Sequence, residues 1–235
     1  MTTFLDLRSQ QKNPLPPRIS VDEAGKRTVS NLCLKGKDGK IVQRDVSQIK
    51  GICFHQTACV FGAPDRKDPS SKYKRALNIP AHGVGFLDGT AVLNCPLTWY
   101  VYHGNAFNED TIGLEFEGHF SGLLDDPKTP RREDIKSSWK SLEPTPLTDV
   151  AIACFRDLTK KVVDEARAMG CPIEFAYAHR QSNGTKEADP GQGIWQKVVL
   201  EYAVPVLGLK TQPLVTRRDG KQIPSEWDPA GKIKY

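Results

Sequence analysis

Two histidines and an aspartate supply the residue types of a metal-binding set, spread over a long stretch of chain. His55 ends the apolar run Ile52 to Phe54 in IKGICFHQT, His179 ends FAYAH, and Asp189 follows nine mostly polar residues later in AHRQSNGTKEADPGQGIW. Zinc takes neutral imidazoles and carboxylates in a tetrahedral shell, and a hydrolytic site uses three protein ligands with the fourth place left to water. His55, His179 and Asp189 would fill that shell and leave one positive charge on the centre, enough to make water a nucleophile near neutral pH. Asn183-Gly184 suits the reversal such a loop requires. The same residues also suit plainer assignments: a histidine closing a buried strand as a hydrogen-bonded core group, and an aspartate before Pro190-Gly191 as a helix cap.

Short strands and two long helices must position these groups. Ile52 to Phe54 reads as a buried strand whose C-terminal end opens onto a site. GVGFLDGTAVLN reads as a hairpin turning at Asp88-Gly89. TIGLEFEG alternates Ile112, Leu114 and Phe116 against Thr111, Gly113, Glu115 and Glu117, which predicts a strand with two glutamates on one face. From Thr148 to Met169 the apolar positions Ala151, Phe155, Leu158, Val162, Ala166 and Met169 step by three or four, giving an amphipathic helix capped by Thr148 and followed by Gly170. A last helix is expected from about Gly193 to Gly208, interrupted or ended near Pro205. VSNLCLKGKDGKIVQR offers a hairpin on Lys37-Asp38-Gly39, SSKYKRALN a short basic helix, and residues 121–147, with four prolines and many charges, a surface excursion. The mixture predicts an α/β single domain with a central mixed β-sheet flanked by helices. Its expected limits are an N-terminal extension over 1–46, the main domain over 47–208 and a polar C-terminal tail over 209–235.

Composition narrows the function classes. The 235 residues are 38% hydrophobic, enough for one good-sized core. MTTFLDLRSQQKNPLPP has no apolar run of signal-peptide length, and no stretch approaches the ~20 apolar residues of a membrane span, so cytoplasmic synthesis is expected. Six cysteines without a C-x-x-C pair fit free thiols better than a disulfide framework. A net charge of +5 comes from 33 Lys and Arg against 28 Asp and Glu. These basic residues are dispersed with no interleaved aromatic motif, so nucleic acid is not an expected partner. A cysteine hydrolase built on Cys53 or Cys59 is disfavoured, because Cys53 shares a strand with His55 two residues on and no Asn or Asp constellation accompanies it.

Four segments, GICFHQTA, AHGVGFLDGTAVLN, YHGNAFNEDTIGLEFEG and AHRQSNGTKEADPG, occur in an order that resembles the type-2 N-acetylmuramoyl-L-alanine amidases. That family includes phage lysozyme-amidases, cytosolic muropeptide-recycling amidases and the peptidoglycan recognition proteins. The resemblance covers roughly residues 47 to 205. It implies a zinc hydrolase that acts on peptidoglycan or muropeptides and cuts the amide between the lactyl group of N-acetylmuramic acid and L-alanine. His55, His179 and Asp189 fall on the three zinc ligands, the third being Cys in other branches. Glu115 falls on the glutamate of the family's IGxE segment and is the candidate to take a proton from water and pass it to the leaving amine. Its plainer reading is a solvated strand glutamate.

The remaining roles follow the family less closely. Some members carry Tyr before the histidine matching His82, where this chain has Ala81. The family often places Lys, Arg or Thr two residues before the third ligand to stabilise the developing oxyanion. Here Glu187 holds that place and Lys186 sits one residue earlier. His82 and His103 match histidines lining the substrate groove, and Asn108, Trp99, Tyr100 and Phe107 are candidates to hold sugar or peptide, the aromatic residues being equally suited to a core. The alternative is a non-catalytic recognition module of the same fold, for example a structural component of a phage particle. Its expected mark, loss of a zinc ligand, is not seen. Lytic or virion-associated and cytosolic recycling roles both fit the sequence, and it leaves the oligomeric state open.

Overall fold

Side-chain alternation along the central strands decides what each face of the sheet holds. The computed structural model describes residues 1–21, 24–123 and 144–228. Most of the expected surface excursion and the last residues of the C-terminal tail lie outside the described residues. In chain order the strands are β1 (Thr3–Asp6), β2 (Arg18–Val21), β3 (Arg27–Ser30), β4 (Gly51–Gln56), β5 (Gly83–Gly85), β6 (Thr90–Leu93), β7 (Thr111–Phe116), β8 (Phe175–Ala178) and β9 (Lys210–Thr211). Seven of them form one mixed sheet in the order β1-β6-β5-β7-β4-β8-β9, and β2 and β3 make a separate exposed hairpin. Only β5 and β6 pair antiparallel within the large sheet, across the Asp88-Gly89 turn.

The even-numbered residues of β4, β7 and β8 face the helices. Ile52, Phe54, Ile112, Leu114, Phe116, Ala176 and Ala178 are buried in one cluster with Phe155, Leu158 and Val162 of α2 (Asp149–Ala168). Trp195 and Val198 of the last helix complete that layer. The odd-numbered residues face the other way, where Cys53, Phe107 and Tyr177 pack in a cluster of their own. This second face is covered by loops, by the short α1 (Ser71–Lys74) and by the C-terminal segment, so both long helices stack on one side. Among the described residues no helix is long and apolar enough to cross a membrane.

Local chemistry explains the helix limits. Thr148 Oγ1 accepts the backbone N–H of Ala151 at 3.2 Å, as an N-cap should. The last helix starts as α3 (Gln192–Ile194), continues through a π-helical stretch (Trp195–Ala203) and closes as α4 (Val204–Leu207). Pro205 therefore does not end it. The proline, which has no N–H to give to the preceding turn, falls just after the π-helical stretch changes to α at Val204.

The first 45 residues are less peripheral than their polarity suggests. β1 is an edge strand of the main sheet, parallel to β6. The turn at residues 36–40 is closed by Gly36 N–H to Lys40 O at 2.8 Å, and its arms pair with Trp99 and Tyr100. Leu15, Leu32, Cys33 and Ile41 bury against Cys95, Trp99 and Val101.

Phe155 tests this core. It is fully buried, and its ring stacks on Phe116 with centroids 4.4 Å apart. Phe155→Ala should lower the unfolding free energy by about 3–5 kcal/mol in urea titrations. A loss below about 1 kcal/mol would show that the α2 layer contributes little.

Candidate metal centre

β4 lies between β7 and β8 with all three parallel, so their C-terminal ends share one edge of the sheet, where open parallel sheets carry their sites. His55 is level with Glu115 in the β4–β7 register. β8 ends at Ala178, opposite Phe54, which brings the next residue, His179, level with His55. The two imidazole centroids are 4.5 Å apart. The following loop returns Asp189 to the end of β4, where Gln56 N–H donates to Asp189 Oδ1 at 2.9 Å and Gln56 Nε2 donates to Ala188 O at 2.5 Å. Asp189 is no helix cap, since Gly191 occupies the cap of α3. His55, His179 and Asp189 are all buried and each offers a ligand atom within 4.8 Å of the others.

Hydrogen bonds fix which nitrogen of His55 is bare. His103 Nε2 faces Thr111 O at 3.2 Å, and a carbonyl can only accept, so Nε2 carries the proton. His103 Nδ1 is then the acceptor for His55 Nε2–H at 3.1 Å. His55 Nδ1 is left as a lone pair, sealed from solvent and without a partner among the described residues. His179 Nε2 and Glu115 Oε2 are in the same condition. Each such atom costs about 1–3 kcal/mol if nothing satisfies it. The donor set, two imidazoles and a carboxylate, fits zinc. His179 Nδ1 lies at hydrogen-bond distance, 3.0 Å, from Asp189 Oδ2, so Nδ1 carries the proton that the carboxylate accepts and Nε2 keeps the lone pair.

The electrostatics are those of buried neutral groups. Burial, with the neighbouring His179, holds His55 well below the usual imidazole range, and burial with His82 does the same to His103. Burial first, then the charge of Asp189, pushes the Glu115 carboxyl up to about 8, against the opposing charges of Lys186 and Arg18. The charge of Lys186 contributes to both shifts, lowering His55 and opposing the rise of Glu115. Glu187 turns away, its carboxylate paired with Lys221.

The other expected site residues are buried, and their polar atoms are engaged within the protein. His82 is wholly buried; its Nδ1 accepts from Gly113 N–H at 3.0 Å and its Nε2–H donates to Trp99 O at 3.0 Å. Both nitrogens are spent on the backbone, so no part of this ring is presented to a substrate. Asn108 Oδ1 accepts Gly104 N–H at 2.6 Å and ties down the turn after His103. Phe107 stacks on Tyr177 at 4.5 Å in the core, and Trp99 is buried. His103 itself stands behind His55, over Gly113, where an added Cβ would come within 2.4 Å of the ring. Cys53, His55 and His103 make a second close trio, but the His103 lone pair already serves His55 and burial pushes the Cys53 thiol far up. That also removes Cys53 as a nucleophile.

Two features escaped the sequence reading. Arg44 is buried with no carboxylate partner among the described residues, donating to Asn108 O at 2.9 Å, Thr111 O at 2.5 Å and Leu97 O at 2.6 Å, with one nitrogen 3.1 Å from His82 Nε2. A cleft of about 650 Å³, lined by Leu34, Val42, Lys50 and Tyr100, lies near the start of β4, and none of His55, His179 and Asp189 lines it.

His82 provides a test independent of any metal. Burial, followed by the Arg44 charge, lowers its pKa to about 3, whereas the unfolded chain titrates near ~6.5. The unfolded state therefore takes up a proton that the native state refuses, and His82 makes stability fall as pH drops from ~6.5 toward 3. An NMR titration should show no His82 protonation step between about pH 7 and 4, and a midpoint near ~6.5 would show that the ring reaches water.

No family model matches the chain, and no match is found among curated proteins. In fold it is similar to several solved structures. The endolysin N-acetylmuramoyl-L-alanine amidase LysCS from Clostridium intestinale URNW is 16% identical, with 72% of this chain and 90% of that one covered and a TM-score of 0.44. Drosophila peptidoglycan recognition protein SD is 16% identical, with 82% and 90% covered and a TM-score of 0.47. Apis mellifera PGRP-SA is 15% identical, with 64% and 81% covered and a TM-score of 0.40.

Proposed function

We propose that this protein is a zinc-dependent amidase that cleaves the bond between N-acetylmuramic acid and L-alanine in peptidoglycan or muropeptides. The observation that carries the reading is the convergence of His55, His179 and Asp189 within 4.8 Å, beside a bare His55 Nδ1 and an unpartnered Glu115 Oε2. The substrate class comes from the four ordered sequence segments that resemble the type-2 amidases.

His55, His179 and Asp189 would hold the ion. When bound, zinc supplies a Lewis acid that polarises the amide carbonyl and acidifies water. His103 keeps His55 in the tautomer whose Nδ1 is free, a supporting bond of the kind that orients metal ligands. Glu115, one strand from His55 and on the same face, would in its ionised form, which a cation held beside it favours, take a proton from the attacking water and return it to the leaving amine. Lys186 places positive charge where the amide oxygen becomes negative. Asp189 also accepts Gln56 N–H, which fixes the carboxylate before substrate arrives.

Purified cell wall incubated with the zinc-loaded protein should release stem peptides with a free L-alanine amine, identified by mass. No cleavage, or cleavage of another bond, would overturn the reading, and binding without cleavage would point to a recognition module. Wild-type protein should hold about one zinc per chain and His179→Ala should hold none. Glu115→Gln should keep its zinc and lose ~10²- to 10⁴-fold in turnover. Lys186→Ala should lower turnover ~10²- to 10³-fold and Glu187→Ala should be nearly silent. A silent Lys186→Ala would move the oxyanion role to another donor.

A further inference from the structure

The chain after β9 was expected to be a polar tail, yet it crosses back over the loop that carries His179 and Asp189. Arg217 N–H donates to Gln181 O and Lys221 N–H to Arg180 O, each at 2.7 Å. Gln181 Nε2 donates to Gln212 O at 2.7 Å and Val215 O at 2.8 Å, while its Oε1 accepts Ala178 N–H at 2.9 Å. Residue 220 rests directly on this loop; an added Cβ on Gly220 would lie 2.0 Å from Gln181 O. Trp227 is fully buried and lies under the Arg180 guanidinium, 5.0 Å from ring centroid to Cζ.

The Arg217 side chain points the other way. Its two terminal nitrogens grip Asp110 at 2.8 and 2.7 Å, one also donates to Ala106 O at 3.0 Å, and the guanidinium lies 4.5 Å from the Phe107 centroid. Residues 104–110 directly follow His103, and Ser182 Oγ–H closes the gap between the two loops by donating to Gly104 O at 2.7 Å. One residue thus ties the loop of His179 and Asp189, through its backbone, to the loop of His103, through its side chain. His103 in turn orients His55.

We propose that residues 209–228 are a strap that sets the spacing of the metal ligands, and that Arg217 is its positioning residue; the inference rests on the zinc reading above. The planar fork of Arg217 makes paired bonds to Asp110 that fix direction as well as distance. A loop held only at its ends would sample ligand separations unsuited to one ion, and the loss would appear as weaker binding.

The test uses the full chain with Arg217→Ala, and Asp110→Asn as a milder break of the same pair. Zinc dissociation constants from competition with a chromophoric chelator, visible spectra of the cobalt(II)-loaded proteins, and thermal midpoints in EDTA are compared with wild type. Arg217→Ala should weaken zinc binding ~10- to 100-fold and alter the cobalt spectrum, and Asp110→Asn should do the same to a smaller extent. Wild-type affinity and spectrum in either folded variant, with only the EDTA midpoint lowered, would reduce the strap to a stabilising segment and overturn the proposal. A wild-type protein that binds no zinc would instead overturn the metal reading, and the inference with it.

Discussion

Parallel pairing of β4 with β7 on one side and β8 on the other is the constraint on which the site depends. It brings His55, Glu115 and the residue after Ala178 to one edge of the sheet, although they are far apart in sequence. The pleat then divides the labour, because neighbouring residues on a strand face opposite sides. Ile52 and Phe54 go to the helix layer while Cys53 and His55 go to the other face. A slip of one residue in β4 would exchange the two sets, burying an imidazole among Phe116 and Phe155 and turning Phe54 toward His179 and Asp189. The apolar packing against α2 therefore holds the register that places the polar groups.

Around the candidate centre, Arg44, His82 and His103 each donate to carbonyl oxygens. Thr111 O accepts from both His103 and Arg44, and Leu97 O and Asn108 O accept from Arg44 as well. Burial lowers the Arg44 pKa to about 10, which leaves the guanidinium charged at neutral pH. That fixed charge, beside His82, helps keep the imidazoles neutral. Neutral imidazole is the form that can offer a lone pair to a cation. The segment carrying Arg44 precedes β4 in sequence, and its contribution reaches the centre through the backbone of two loops.

Elements with a strong internal pattern were legible in the sequence. The alternation in TIGLEFEG, the Asp88-Gly89 turn and the apolar stripe with its Thr148 cap each depend on residues close together in the chain. β1 was not legible because an edge strand with mostly exposed side chains carries little hydrophobic signal. The second glutamate of TIGLEFEG was placed correctly on its face, but Glu117 serves as an acceptor for Phe61 N–H at 2.7 Å and Leu87 N–H at 2.9 Å. Around the candidate centre, residue type and resemblance point to His55, His179 and Asp189, which lie together, whereas the hydrogen-bond partners of His82, His103 and Asn108 are not legible. Most of their partners are backbone groups, and a bond to a carbonyl or an N–H leaves no mark on the identity of the partner residue. The segment after β9 was missed for the same reason: it grips its neighbours largely through main-chain atoms.

Chain order gives that last segment a temporal meaning. A polypeptide emerging from the ribosome presents His55, His103, His179 and Asp189 well before Trp227, and N-terminal parts of a chain fold first during synthesis. The sheet can assemble through β8 while the loop beyond it still lacks the surface that it rests on. His55, His179 and Asp189 are thus all translated before the segment that packs over their loop, so the stretch from Arg180 to Ala188 waits for chain that has yet to be made before its carbonyls find their donors.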